Sequence, residues 1–480
     1  MRAVTKRNRV QGLSLCIKLS SFKGGFDLRK PLFKTSCTLA STLILALSVS
    51  ACGSQNSSEN SGTSATAAPT ASGQANDAPA AKAPVKISYL TFRVGTHASA
   101  KLEEEQIKQF NAKYGKEVEV VVEEIPSDSA YEDKLKILAV SGDVPDVVMG
   151  KNGINDILIK GNLVTPFNDY LDKDPEWKAE VGEAALAANT RDGKVWSISD
   201  QKQNIGYFYN KEMFEKAGIQ PAQTWDEFMS NNEKLKAAGF VPLALMTGEN
   251  AWTTNLILAA LVGTNGEAGN TFMNTLHPTD FNTPEMIQAL NMMKTMLEKY
   301  TTKDALGAGY ANAANAFSQN KAAMIANGPW MIGDFSDPTK SSADFDKKVG
   351  VAAYPDNSLI STYEVGYMIG AKTPETRDAA EKFIRFKTGI EGQTIALEYG
   401  NVMPVSNKIQ PSDALKQKYP LFVESIKLAQ QTQVHYQSFD SIVYPNITDA
   451  WKSLYPKLVF GQSTAEEIAK ELTEIAAKHK

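Results

Sequence analysis

The sequence predicts an α/β fold whose ordered part, residues 85–480, divides into two lobes. Three observations predict it. Residues 85–149 read strand, helix, strand, helix, strand, which implies a parallel sheet with helices on its faces. The stretch exceeds the roughly 250–300 residues at which a single core stops growing. The only cysteines, Cys16, Cys37 and Cys52, precede it, so a large apolar core and no disulfide must hold it.

Each element has its own reason. Residues 85–92 (VKISYLTF) alternate apolar and polar, as a half-buried strand does. Residues 101–114 carry Leu102, Ile107 and Phe110 at helical spacing, and 117–125 (EVEVVVEEI) read as a strand. Residues 131–140 form a helix with Leu135, Leu138 and Ala139 on one face, and 145–149 a short buried strand. Ligands of such sheets sit beyond the carboxyl ends of the strands, which singles out the loops after Phe92 and Met149. Further along, 205–209 (IGYFY) and 240–246 read as strands. Thr224 can cap a helix, with Glu227 at capping-box spacing. Residues 284–300 form a long helix with Pro in its first turn. Residues 371–386, 390–399 and the amphipathic tail 465–479 are helical, and no internal repeat occurs.

The N-terminus differs from the rest. Residues 2–34 hold nine Lys/Arg and one acid, Asp27. An uncharged run (LASTLILALSV, 39–49) follows, then Ser50-Ala51-Cys52. A basic region, a short apolar run and small residues are the parts of an export signal. Eleven apolar residues are too few for a settled span of a ~30 Å hydrocarbon core. Val49-Ser50-Ala51-Cys52 resembles the lipobox of bacterial lipoproteins. That resemblance implies a signal peptide over 1–51, cleavage before Cys52 and a lipid on its sulfur. The segment before the apolar run is longer than an export signal needs, which a misassigned start codon would explain. Residues 53–84, rich in Ser, Ala, Thr, Gly and Pro, cannot bury a core and read as a flexible tether. Removing those nine basic and one acidic side chains takes the net charge from −4 to −12. An acidic surface argues against nucleic acid as a partner.

A second resemblance rests on an ordered set of motifs. These are SGDVPDV (141–147), DGKVW (192–196), YFYNKEMFEKAGI (207–219), TWDEF (224–228) and FSQNKAAMIANGPW (317–330). In order and spacing they resemble the extracellular solute-binding proteins of bacterial ABC sugar importers, on the branch of maltodextrin- and multiple-sugar-binding lipoproteins. The resemblance implies a periplasmic-binding-protein-like fold, each lobe a mixed sheet flanked by helices, with a hinge between lobes and a sugar in the cleft. Lobe one is expected at 85–203 plus 366–430, and lobe two at 204–365 plus 431–480. Ser197-Ile198-Ser199-Asp200 departs from the family, where a Pro commonly ends the strand.

A sugar site needs flat aromatic faces and polar groups that take hydrogen bonds from neighbouring hydroxyls. Trp330 follows Asn327-Gly328-Pro329 after an apolar strand, and the family stacks this Trp on sugar; the alternative is a ring covering the lobe surface. Glu249, Asn250 and Trp252 match a family loop that supplies an acid and an aromatic; alternatively Asn250 caps the next helix and Trp252 packs beneath it. Arg93, Lys151 and Asn152 follow strand ends, whereas His97 reads as a solvated loop residue. Asp200, Gln203 and Asn204 precede the hinge strand, and Tyr363 and Glu364 stand near the returning crossover. Asp440 and Tyr444 correspond to a family segment that closes over the ligand, while Tyr209 reads as core.

Other chemistry finds no footing. No phosphate loop, GxSxG elbow or HExxH occurs, and the four histidines are widely spaced. Glu123 and Glu124 point to opposite faces of a strand, so they cannot form a glycosidase pair. Glu103-Glu104-Glu105 reads as a solvated helix face. The expectation is a non-enzymatic monomer without cofactor or metal. Its partners are a sugar or oligosaccharide, ABC permease subunits and, through lipid, the outer face of a cell membrane, Gram-positive if the tether is a guide. Alternatives are a sugar sensor for a membrane kinase, a lipid-anchored carbohydrate-active enzyme, or the same fold with a polyamine, glycerophosphate or metal-chelate ligand.

Overall fold

A computed structural model describes residues 83–151 and 153–478. The signal segment, Cys52, most of the tether and Asn152 lie outside the described residues. The fold is α/β, with two mixed sheets flanked by helices. The first sheet runs Tyr367–Ile369, Val147–Met149, Val85–Thr91, Val118–Glu124. Its two N-terminal pairings are parallel and Tyr367–Ile369 adds an antiparallel edge. Helices Ala100–Tyr114, Asp128–Ser141 and Pro374–Thr388 cover it. Their apolar stripes meet the sheet in one core, where Phe110 and Phe383 pack edge to face at 4.9 Å. Ser127 caps the second helix by accepting from the Ala130 N–H, and Gly142 ends it in the left-handed conformation.

The second sheet is organised by one ten-residue strand, Gln201–Asn210, of which 205–209 is only the apolar second half. Near its start it pairs antiparallel with Ser358–Tyr363 and Met403–Pro404. Near its end it pairs with Ala322–Asn327 and Val349–Ala352. Gly206 sits where those partners crowd in, and a Cβ there would lie 2.2 Å from the Ala352 carbonyl oxygen. Helix Trp252–Gly263 is apolar on every side and is buried beneath this sheet among Pro284–Lys299, Pro445–Val459 and Ala465–Ala477. The last of these begins with a full capping box, Thr464 with Glu467. At Trp225–Ala237 the box is shifted: Thr224 accepts from the Glu227 N–H, but the Glu227 carboxylate takes the Gln223 N–H.

The chain crosses between the sheets three times. It leaves at Ile198–Gln201, returns at Tyr363–Tyr367 and leaves again at Gly400–Met403. The third crossing corrects the expected boundary at 430. Leu415, Leu421 and Phe422 join Phe208, Ile325 and Val349 in one cluster, so helices Asp413–Lys418 and Pro420–Gln431 pack with the second sheet. Helix periodicity shows that such a segment has an apolar face but not which sheet that face meets.

Gly206→Ala tests the central strand. Driving a methyl into the Ala352 carbonyl should cost about 1–3 kcal/mol, the usual range for overpacking, read as a lower urea midpoint at unchanged slope.

Candidate functional site

The two sheets face each other across a cleft that four contacts hold shut. Lys136 reaches Asp449 at 3.2 Å. His277 reaches Asp156 at 3.0 Å. The Lys340 ammonium donates to the Thr96 carbonyl at 3.1 Å. Gly153 packs so tightly on Pro445 that a Cβ would lie 2.2 Å from the proline ring. In each pair one residue comes from the first lobe and one from the second, so this is a closed arrangement.

From the first lobe come the loops after Thr91 and Met149. The Lys151 ammonium sits 2.5 Å from Asp128 and 4.4 Å from the Phe92 ring centroid. His97 corrects the solvated reading: it is half-buried, packs edge-on to Phe92 and accepts from the Ser99 N–H through Nδ1. Burial, with the Arg93 charge beside it, lowers its pKa to about 4, so it is neutral at physiological pH. Arg93 and Asp200 are buried and meet protein groups: Arg93 donates to the Tyr367 hydroxyl at 3.2 Å and lies 3.8 Å from Asp200.

From the second lobe comes the loop 244–251. Ala251, in the left-handed conformation, is the residue before helix Trp252–Gly263, and no side chain caps it. Asn250 is therefore not a cap; its amide donates to the Asp440 carboxylate at 3.3 Å. Glu249 is exposed and accepts from the Tyr310 N–H at the start of helix Tyr310–Ser318. Trp252 donates toward Asn327 at 3.4 Å, and its ring lies 6.3 Å from that of Trp330 at a 45° tilt. Trp330 folds over Gly328, where a Cβ would lie 2.1 Å from the ring. It is partly exposed and touches the apolar clusters of both lobes, which places it at their junction.

The crossovers supply the floor. The Gln203 amide donates to the Glu364 carboxylate in a short contact. Asn204, the next residue, faces the other way, as alternation along a strand requires. It takes a hydrogen bond from Ser361 and lines, with Lys202 and Tyr363, a separate cavity of about 450 Å³. Tyr444 stacks on His277 at 4.0 Å, beside the contact of that imidazole with Asp156. Tyr209 is partly buried against the core of the second lobe.

The structure thus brings together Lys151, Glu364, Gln203, Asn250 and Asp440, with the Trp252–Trp330 pair at the lobe junction. It also brings Asp128 and Glu132 to the same cleft, which the sequence reading missed. They lie four residues apart on helix Asp128–Ser141, and two like charges at that spacing disfavour an isolated helix. That spacing was the available signal. Burial first, then the nearby acids Glu132 and Asp128, raises Asp440 to about 8. Burial likewise raises Glu132 to about 7, against the pull of Lys151. Among the described residues no group of three or more His, Cys, Asp or Glu is arranged to hold a metal ion.

Two lobes closing over a cleft of amides, carboxylates and paired indoles define a two-domain binding protein. The bacterial extracellular solute-binding protein family matches residues 95–394, and the chain belongs to it. A multiple sugar-binding protein of Streptococcus mutans is 29% identical over 280 residues, covering 53% of this chain and 61% of that protein. The chain thus spans about three fifths of that relative's length. In fold it is similar to a chitin oligosaccharide binding protein, with TM-score 0.72, 23% identity and coverage of 82% and 98%. It is also similar to a Streptococcus pneumoniae solute-binding protein solved with the blood group A-trisaccharide, with TM-score 0.69, 19% identity and coverage of 82% and 100%. No helix among the described residues is long and apolar enough to cross a membrane.

The raised carboxyls give a pH signature. The folded protein keeps protons that an unfolded Asp or Glu releases near pH 4. Their stabilisation is complete below that value and is lost as pH climbs toward the folded values of about 7 and 8. The melting temperature of the unliganded protein should therefore fall between pH 5 and 8.5, and Asp440→Asn should flatten that slope.

Proposed function

We propose that this protein captures a sugar or oligosaccharide in the inter-lobe cleft and delivers it, in the closed form, to the permease of an ABC importer. The observation that carries the reading is the Trp252–Trp330 pair at the lobe junction, together with the hydrogen-bonded pairs Asn250–Asp440 of the second lobe and Gln203–Glu364 of the crossovers. Indole faces suit the apolar C–H face of a pyranose. Gln203, Glu364, Asn250, Asp440 and Lys151 suit its hydroxyls. Asn152, outside the described residues, follows Lys151 in the same loop. The names of the relatives, multiple sugar, chitin oligosaccharide and blood group trisaccharide, support the same ligand class. An anionic ligand such as glycerophosphate fits poorly, because the acids Asp128, Glu132, Glu364 and Asp440 stand around the Lys151 ammonium.

Binding, rather than cleavage, is the proposed act. A sugar touching both lobes stabilises the closed form by its differential affinity for it. A micromolar Kd, about −8 kcal/mol, is within reach of a few stacked faces and hydrogen bonds. Lipid on Cys52 and the tether behind it would keep the domain at the outer face of the membrane, within reach of the permease. Sensing for a membrane kinase is the second reading, and sugar uptake in a deletion strain separates the two.

A thermal-shift screen against mono- and oligosaccharides tests the ligand, since binding raises the melting temperature by mass action. At least one sugar should raise it and be recovered uncleaved; no shift across the panel, or cleavage, overturns the reading. Trp330→Leu should remove the sugar-induced shift. It should also lower the unliganded melting point, because the ring packs on three apolar clusters. Cys52→Ser should release the chain from membranes into the medium, read by fractionation; continued membrane retention would refute the anchor.

A further inference from the structure

Six side chains form a fully enclosed polar cluster beneath the crossovers: Arg93, Glu103, Asp200, Lys387, Tyr89 and Tyr367, none more than 5% exposed. Lys387 donates to Glu103 at 2.7 Å and lies 5.0, 5.3 and 5.4 Å from the ring centroids of Tyr367, Tyr89 and Phe383. Arg93 donates to the Tyr367 hydroxyl at 3.2 Å, and that hydroxyl donates to Asp200 at 3.4 Å. The Arg93 guanidinium also stands 3.8 Å from Asp200 and 4.0 Å from Glu103. Two cations face two carboxylates, so the cluster is neutral as a whole. Glu103, read from sequence as part of a solvated face, is 2% exposed.

Its members sit at telling places. Asp200 is the last residue before the outgoing strand Gln201–Asn210. Tyr367 opens the returning strand. The two crossovers touch along their backbones: Ile198 and Tyr367 exchange N–H to carbonyl bonds at 3.0 Å in both directions, and the Glu364 N–H reaches the Gln201 carbonyl at 3.1 Å. Gly366, at φ +77°, leaves no room for a Cβ, which would lie 1.9 Å from the Ile198 oxygen. Arg93 arrives from the loop whose Thr96 carbonyl meets Lys340 of the second lobe. Glu103 and Lys387 belong to helices Ala100–Tyr114 and Pro374–Thr388 of the first lobe.

Charges this deep are not explained by stability alone. Desolvation offsets most of their attraction, and apolar replacements of whole buried ion pairs are often neutral. What directional charges supply and apolar contacts do not is a defined position for each partner. We infer that Arg93, Asp200 and Tyr367, backed by Glu103 and Lys387, are positioning residues that fix where both crossovers leave the first lobe and so set the balance between open and closed forms. They act on ligand affinity through the crossovers without touching the ligand. The ligand arm of this inference rests on the proposed function; the conformational arm does not.

Tyr367→Phe is the mildest probe, because it deletes only the hydroxyl shared by Arg93 and Asp200 and keeps the ring over Lys387. Asp200→Asn is the second, keeping shape and removing charge. Amide hydrogen exchange on the unliganded full chain reads the effect. Both variants should exchange about tenfold faster, equivalent to about 1.4 kcal/mol, at residues 198–201, 363–367 and 446–449. Exchange in helix 284–299 should not change. Every sugar found to bind wild type should lose affinity by a similar factor. Unchanged exchange at the crossovers and seam overturns the inference. So does acceleration confined to the first lobe's core, and so does an affinity loss for one sugar but not its deoxy analogue, which would mark direct contact. If no sugar binds wild type, the proposed function fails while the exchange result still decides this inference.

Discussion

Strand Gln201–Asn210 is hydrogen-bonded to four other strands, and the rest of the architecture depends on that pairing. It is the first chain segment to reach the second lobe and the template on which that lobe's sheet is laid down. The residue just before it, Asp200, is buried among the polar side chains of the first lobe. One continuous piece of backbone is therefore fixed at one end by buried charge and at the other by sheet pairing. The returning crossover runs beside it in backbone contact. The third crossing, at Gly400–Met403, adds its hydrogen bonds to the same strand and not to an independent site.

The closed arrangement brings acidic groups together. Asp128 and Glu132 come from one lobe and Asp440 from the other, with Glu364 near them. Burial in this arrangement raises the pKa of Asp440, Glu132 and Glu364, so they hold their protons more tightly. The opposing forces are local: the Lys136–Asp449 ion pair, the Asp156–His277 contact and the packing of Gly153 on Pro445. A ligand with many hydroxyls supplies donors to these carboxylates without adding charge.

Much of the fold was legible because it follows from local periodicity. The strand and helix pattern of 85–149 appeared where expected, as did the Pro-led helix Pro284–Lys299 and the capped tail helix. The positions of the candidate loops were legible for a different reason. The Trp330 turn and the Asn250 loop stand after strand ends, where side chains must leave the sheet. The failures share one cause. Arg93 and Asp200 were placed beside a ligand, His97 and Glu103 in solvent, and 403–430 in the first lobe. In each case the residue type was read correctly and its surroundings were not. A buried ion pair is made by residues 284 apart, Glu103 and Lys387, and no spacing in the chain announces it.

The sequence alone determined the class of fold, the order of its elements and the presence of aromatic and amide groups at loop positions. These are properties of neighbouring residues: hydrophobic period, capping chemistry and turn residues act over a few positions. Tertiary structure alone decided which groups face each other. It set Gln203 and Asn204 on opposite sides of one strand and committed Glu249 to a helix end. It also joined Asp128, Glu132 and Asp440 across the cleft. Burial and electrostatic potential depend on what the chain brings near from far away. That is why the charge of a carboxyl, and hence its part in the site, could be read only once both lobes were in place.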